Sequence, residues 1–151
     1  ACMPAARDPG AGSAAETAWR AGRSEFDTHL AYCAAADQSE AELPYGNIIA
    51  FDRHAAVLHY QHLDREPPAC RHSFLIDAGA QERSYACDIT RTYAAEGEPE
   101  FAALVAALER EQLALCDRVR PGVDYRDIHL AAHRGIAGVL LAPLYFVSPS
   151  A

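Results

Sequence analysis

The sequence predicts an α+β fold in which an antiparallel sheet has helices packed on one face. Three observations lead there. Between Ser73 and Thr92 the pattern reads as a hairpin: Phe74, Leu75 and Ile76 are β-prone, Gly79 to Ser84 carries turn residues, and Tyr85 to Tyr93 is β-prone again. Helical patterns precede and follow the strands in runs, giving the order α-α-β-β-β-β-α-α with no internal repeat. Half of the 151 residues are hydrophobic, enough for one domain with a core, although alanine dominates and buries little area per residue.

Taken in order, Ala1 to Ala14 is rich in Ala, Pro and Gly and reads as a frayed lead-in, with Pro4 and Pro9 breaking any helix. Ala15 to Arg20 looks helical. Ser24 caps a second helix, with Asp27 three residues on, and Phe26, Leu30 and Cys33 form its apolar stripe. Gly46 to Phe51 and Ala56 to Tyr60 read as strands. The polar run Gln61 to His72, with Pro67-Pro68, is a loop that leads into the hairpin. Pro99, flanked by Glu98 and Glu100, opens a long helix whose buried stripe is Leu104, Leu108, Leu115 and Val119, and Pro121-Gly122 ends it. Asp124 caps the last helix, with Ile128, Ala132, Ile136 and Leu140 on one face. Pro143 stops that helix. The body of the fold is therefore 15–141, followed by a divergent tail over 142–151.

Composition excludes several classes. The net charge is −8 and every basic side chain is arginine, without the basic stripe that nucleic-acid binding needs. Five cysteines are scattered with no Cys-x-x-Cys, the pattern of free thiols in a reducing cytoplasm. The first ten residues lack a charged start followed by an apolar run. The apolar stretch from Gly135 to Val147 is too short for a bilayer and is broken by Pro143. A cytoplasmic protein without membrane or nucleic-acid partners is expected.

Asp77 and Asp88, with ten residues between them, are the most informative feature. A hairpin centred on Glu82-Arg83 places them opposite each other on one face, with Cβ atoms roughly 4.5–5.5 Å apart. Two bare carboxylates at that distance repel, so one of them holds a proton unless a cation lies between them. Oxygen ligands suit hard divalent ions such as Mn²⁺. The plain alternative is a solvated hairpin with two surface acids. Other candidates are weaker. His129 and His133 stand at i and i+4 on one helix face, but Leu130 occupies the place where a zinc protease helix carries Glu. Cys87 points away from the Asp88 face into the core, and Arg91 also points to the face opposite Asp88, where it is read as a partner for a nearby acid without a catalytic role. His54, His59 and His62 cluster near the second strand.

The residues around the aspartates resemble a known family. Asp77-Ala-Gly-Ala followed by Tyr85-x-x-Asp88-Ile-Thr-Arg-Thr92 is similar to the first metal-ligand segment of the Xaa-Pro dipeptidases (prolidases), in the wider pita-bread group of methionine aminopeptidases, aminopeptidase P and creatinase. Leu43-Pro-Tyr-Gly-Asn-Ile-Ile-Ala50 and His54-Ala-Ala-Val-Leu-His59-Tyr60 resemble the segment just upstream. The resemblance runs from about Ala15 to about Val139. Where relatives have Gly before the second-strand Tyr, this chain has Ser84, and where they have a helix near the start it has Pro4 and Pro9.

The resemblance implies the first half of a pita-bread domain and a hydrolase that cleaves Xaa-Pro dipeptides with two divalent metals, Mn²⁺ or Co²⁺. Asp77 then chelates one metal, Asp88 bridges both, and His59 lines the substrate site. The family centre has five ligands, two Asp, one His and two Glu. The later three come from a His-Gly-x-Gly-His type segment, a Glu-Pro-Gly segment and a final Glu strand. No His-Gly occurs here, and neither Glu66-Pro67 nor Glu98-Pro99 is followed by Gly. A truncated metallopeptidase chain, inactive alone and complemented only in trans, is therefore expected. The alternative is a non-catalytic remnant whose open sheet edge and apolar face favour a homo-oligomer.

Overall fold

The computed structural model describes residues 8–141, which divide after Glu96 into two compact units. The first unit begins with helix α1, Asp8–Arg20. This corrects the lead-in reading for residues 8–14. Pro9 stands in the first helical turn, where its missing N–H costs no hydrogen bond. Residues 1–7 and the tail over 142–151 lie outside the described residues. Ala11, Ala15 and Trp19 repeat every four residues on one face of α1, and all three are buried.

Helix α2, Glu25–Ala36, starts as its sequence indicates: the Ser24 hydroxyl accepts from the Asp27 N–H at 3.1 Å. Its expected stripe holds only at Cys33, however. Leu30 is 48% exposed, and Phe26 is half-buried beneath the Arg65 guanidinium. The buried face is Glu25, Thr28, His29, Tyr32, Cys33 and Ala36. Apolar periodicity misleads here because Glu25 and His29 on the buried face find hydrogen-bond partners elsewhere in the unit, which makes their burial tolerable.

The strands are β1 (Ile48–Phe51), β2 (Ser73–Ala78), β3 (Gln81–Glu82), β4 (Tyr85–Ala86) and β5 (Ile89–Ala94). β1, β2 and β5 form an antiparallel sheet in that order, and β3 and β4 form the tip of the hairpin. The expected strand over Ala56–Tyr60 does not form. Asp52 turns with φ 51° into a 3₁₀ turn over Asp52–Ala56. Its carboxylate accepts the His72 and Ser73 N–H groups at 2.7 and 2.8 Å, so it fastens the start of β2 instead of continuing β1.

β2 alternates. Phe74, Ile76 and Ala78 are buried in the core shared with α1 and α2, whereas Leu75 and Asp77 face the other side. Phe74 is the hub, with ring centroids of Trp19, Phe51 and Tyr93 between 5.4 and 5.6 Å away. Two helices on one face of an antiparallel sheet is the architecture that the sequence indicated for this part of the chain.

The second unit is a helical hairpin of α3 (Pro99–Cys116) and α4 (Tyr125–Leu140). Pro99 opens α3, and the Asp124 carboxylate caps α4 by accepting the Arg126 N–H at 2.8 Å. Gly135 leaves room for the Glu111 carboxylate of α3, which a Cβ there would meet at 2.5 Å. α3 stops at Cys116, before Pro121-Gly122. Neither helix has a fully buried residue, so the stripes expected to be buried stay partly open; Val119 is 69% exposed. No described helix is long and apolar enough to cross a membrane.

Candidate metal centre

Asp77 projects from the face of β2 opposite α1 and α2, and Asp88 stands just before β5. They do not face each other directly: Asp77 pairs with Thr90. The cause lies in the turn. Glu82 pairs with Tyr85, so the central turn residues are Arg83 and Ser84, with φ 49° and 67°. Two positive φ values define the mirror-image turn that suits the twist of a hairpin. Moving the centre by one residue shifts the pairing by two and leaves every side chain on its face. The shared face therefore holds, and the direct opposition does not.

A third residue joins the pair. The Tyr45 hydroxyl lies 3.0 Å from Asp77 Oδ1 and 2.8 Å from Asp88 Oδ1. Burial, then the hydrogen bonds to Asp88 and Asp77, raise the Tyr45 phenol far above its ordinary range, so it keeps its proton. One proton shared between two carboxylates leaves acceptor capacity and negative charge that a divalent cation satisfies. The all-oxygen set fits the hard ions named from the sequence. Gly79 makes the arrangement possible. A Cβ there would clash with the Cys87 carbonyl and stand 2.9 Å from the Tyr45 ring and 3.1 Å from Pro44.

The other sequence candidates separate. His59 lies on an exposed turn with φ 53°, and no hydrogen bond joins it to either aspartate. Cys87 is buried in the core, as its parity indicates. Arg91 is exposed and donates to the Thr90 carbonyl at 2.8 Å. His129 and His133 bring their Nε2 atoms to 3.1 Å on the exposed side of α4. Among the described residues, Cys33, Cys70, Cys87 and Cys116 form no disulfide.

Sequence reading missed Glu25. Its side chain is 2% exposed, and both oxygens are fully used. Oε1 accepts from the Phe51 N–H and the His54 ring at 2.8 Å each. Oε2 accepts from the Tyr60 hydroxyl at 2.7 Å and the Asp64 N–H at 2.9 Å. The partners lie 26 to 39 residues away, so nothing local marks a first-turn Glu as the clamp for the whole 51–64 segment.

Comparison with known proteins agrees with this geometry. Residues 7–144 match metallopeptidase family M24, and the chain belongs to that family. It is 56% identical over 127 residues to the Xaa-Pro dipeptidase of Stenotrophomonas maltophilia (strain K279a), and 55% identical over 127 residues to that of Xanthomonas oryzae pv. oryzae (strain MAFF 311018). In each case the match covers 84% of this chain and 29% of the relative, so the chain spans under a third of their length. Among solved structures, zinc-substituted Escherichia coli aminopeptidase P in complex with product superimposes with a TM-score of 0.64 at 21% identity, covering 91% of this chain and 34% of that one. The X-Pro aminopeptidase of Thermotoga maritima gives 0.59 at 18%, covering 88% and 40%. These likenesses show the pita-bread fold; the half-domain here is its α+β beginning.

Proposed function

We propose that this chain supplies two ligands, Asp77 and Asp88, that would hold divalent metal in a centre hydrolysing Xaa-Pro dipeptides. The observation that supports it most is the convergence of both Oδ1 atoms on the single Tyr45 hydroxyl. Metals of this kind lower the pKa of a bound water and polarise the scissile carbonyl. Manganese or cobalt fits the oxygen donors. The chain's own residues set the geometry: β2 holds Asp77 in register, Gly79 lets the Tyr45 loop close over the pair, and Tyr45 orients both carboxylates through its one proton. In this reading His59, on its exposed turn, contacts substrate and is not a metal ligand. The body of the fold, 15–141, is in this reading the amino-terminal half of the catalytic domain, and Xaa-Pro dipeptides are its substrates once the family's His and two Glu ligands are joined to it.

The test is an Xaa-Pro dipeptidase assay with Mn²⁺ on this chain, alone and mixed with the part of the Stenotrophomonas enzyme that follows the matched segment. Turnover only in the mixture, abolished by Asp77→Asn, is the expected result. Turnover by the chain alone, or a mixture insensitive to Asp77→Asn, contradicts the assignment.

A further inference from the structure

We propose that His54, His62 and Asp64 form a second divalent-metal site, separate from the aspartate pair, which takes zinc or a similar transition ion. Three observations on different elements support it. First, the tautomer of His54 is fixed. Glu25 Oε1 already accepts the Phe51 N–H, and Oε2 accepts from Tyr60 and Asp64, so the carboxylate is an acceptor throughout. The His54 Nδ1, 2.8 Å from Oε1, is therefore the donor, and in the neutral ring the lone pair is on Nε2. A ring held by a buried carboxylate with its other nitrogen bare is the arrangement found behind metal-binding histidines.

Second, that bare Nε2 faces another acceptor. Asp64 Oδ2 lies 3.9 Å away, too far for a hydrogen bond and within the span of two ligands of one ion. Third, His62 Nε2 approaches the same carboxylate from the other side, 3.3 Å from Oδ1. Ligands of one tetrahedral zinc stand about 3.3 Å apart, given bonds of about 2.0–2.1 Å. One separation already matches, the second closes with a small swing of a carboxylate that is 45% exposed, and His62, 78% exposed and outside the 4.8 Å group of Glu25, His54 and Asp64, turns in to complete the set.

Glu25, His54 and Asp64 place ligand atoms within 4.8 Å of one another, and Glu25 serves as the anchor of the ring because its own lone pairs are occupied. The His54 ring is also stacked on Tyr60 at 4.6 Å, which removes its remaining freedom. Two imidazoles and one carboxylate suit zinc, and three protein ligands leave a position for water.

The experiment uses the full chain carrying Asp77→Asn, Asp88→Asn, His129→Ala and His133→Ala, which removes the other candidate ligands. It is titrated with Zn²⁺ by calorimetry and with Co²⁺ by visible absorption. One ion per chain is expected, with the intense spectrum of tetrahedral cobalt. Adding His62→Ala or Asp64→Asn is expected to weaken binding at least tenfold. His62 is 78% exposed, so its loss leaves folding intact, which circular dichroism checks. No binding in the parent of this series, or binding unchanged by both substitutions, overturns the proposal. Neither result bears on the aspartate centre, which is absent from every protein in the series.

Discussion

Tyr45 and Asp88 are joined by a 2.8 Å hydrogen bond across 43 residues of sequence, and the same hydroxyl reaches Asp77 at 3.0 Å. The contact ties the loop before β1 to both arms of the hairpin. Tyr45→Phe removes the shared proton and leaves the two carboxylates without their common donor. A loss of about 1.5 kcal/mol is expected, the low end for a hydrogen bond to a charged group. Urea unfolding in chelator measures it, and an unchanged midpoint shows that the hydroxyl contributes nothing.

Gly79→Ala tests the close approach at the same place. Its Cβ has no room between the Cys87 carbonyl and the Tyr45 ring. Overpacking of this kind costs roughly 1–3 kcal/mol. Both lower stability and weaker Mn²⁺ binding are expected, because the strand and the Tyr45 loop must separate. Calorimetry on the folded variant reads the second effect.

Glu25→Gln replaces an acceptor that serves four donors with a group that donates from one side. A buried N–H or O–H is left facing an amide N–H, and breaking a buried charged network costs roughly 3–5 kcal/mol. A large drop in melting temperature is expected, with the 51–64 segment becoming sensitive to protease. A stable, protease-resistant variant contradicts the clamp.

His29 sets a pH dependence. It is 2% exposed between Cys33 and Asn47, and burial lowers its pKa below the ordinary value of 6.5, with Glu40 opposing weakly. The unfolded chain therefore binds this proton more readily than the folded one. Stability is full above about 6.5 and falls as pH drops through the unfolded value towards the lowered one. Unfolding free energies between pH 7.5 and 5 are expected to decline, and His29→Gln to flatten the decline. A parent whose stability is constant across that window refutes it.

What the sequence made legible was local. The aspartate pair lies within one hairpin, so strand parity sufficed to place both carboxylates on one face. The turn centre was missed because Arg83 and Ser84 adopt positive φ without being Gly or Asn, the residues that usually mark such turns. The strand expected at Ala56–Tyr60 has a fitting pattern, but the pattern does not show that Asp52 diverts the chain to hold β2. Glu25 and Tyr45 were invisible for a common reason: each acts on residues more than twenty positions away, and only the folded chain brings them together.

The central claim is that Asp77 and Asp88 hold a divalent ion, and Mn²⁺ binding followed by the loss of its free-ion electron paramagnetic resonance signal tests it most directly. With His62→Ala in both proteins to remove the second site, the otherwise unchanged parent chain is expected to bind one Mn²⁺ weakly, since two carboxylates leave water to fill the remaining positions, and the Asp77→Asn, Asp88→Asn variant is expected to bind none. Equal Mn²⁺ uptake by both proteins, or none by the parent, contradicts it.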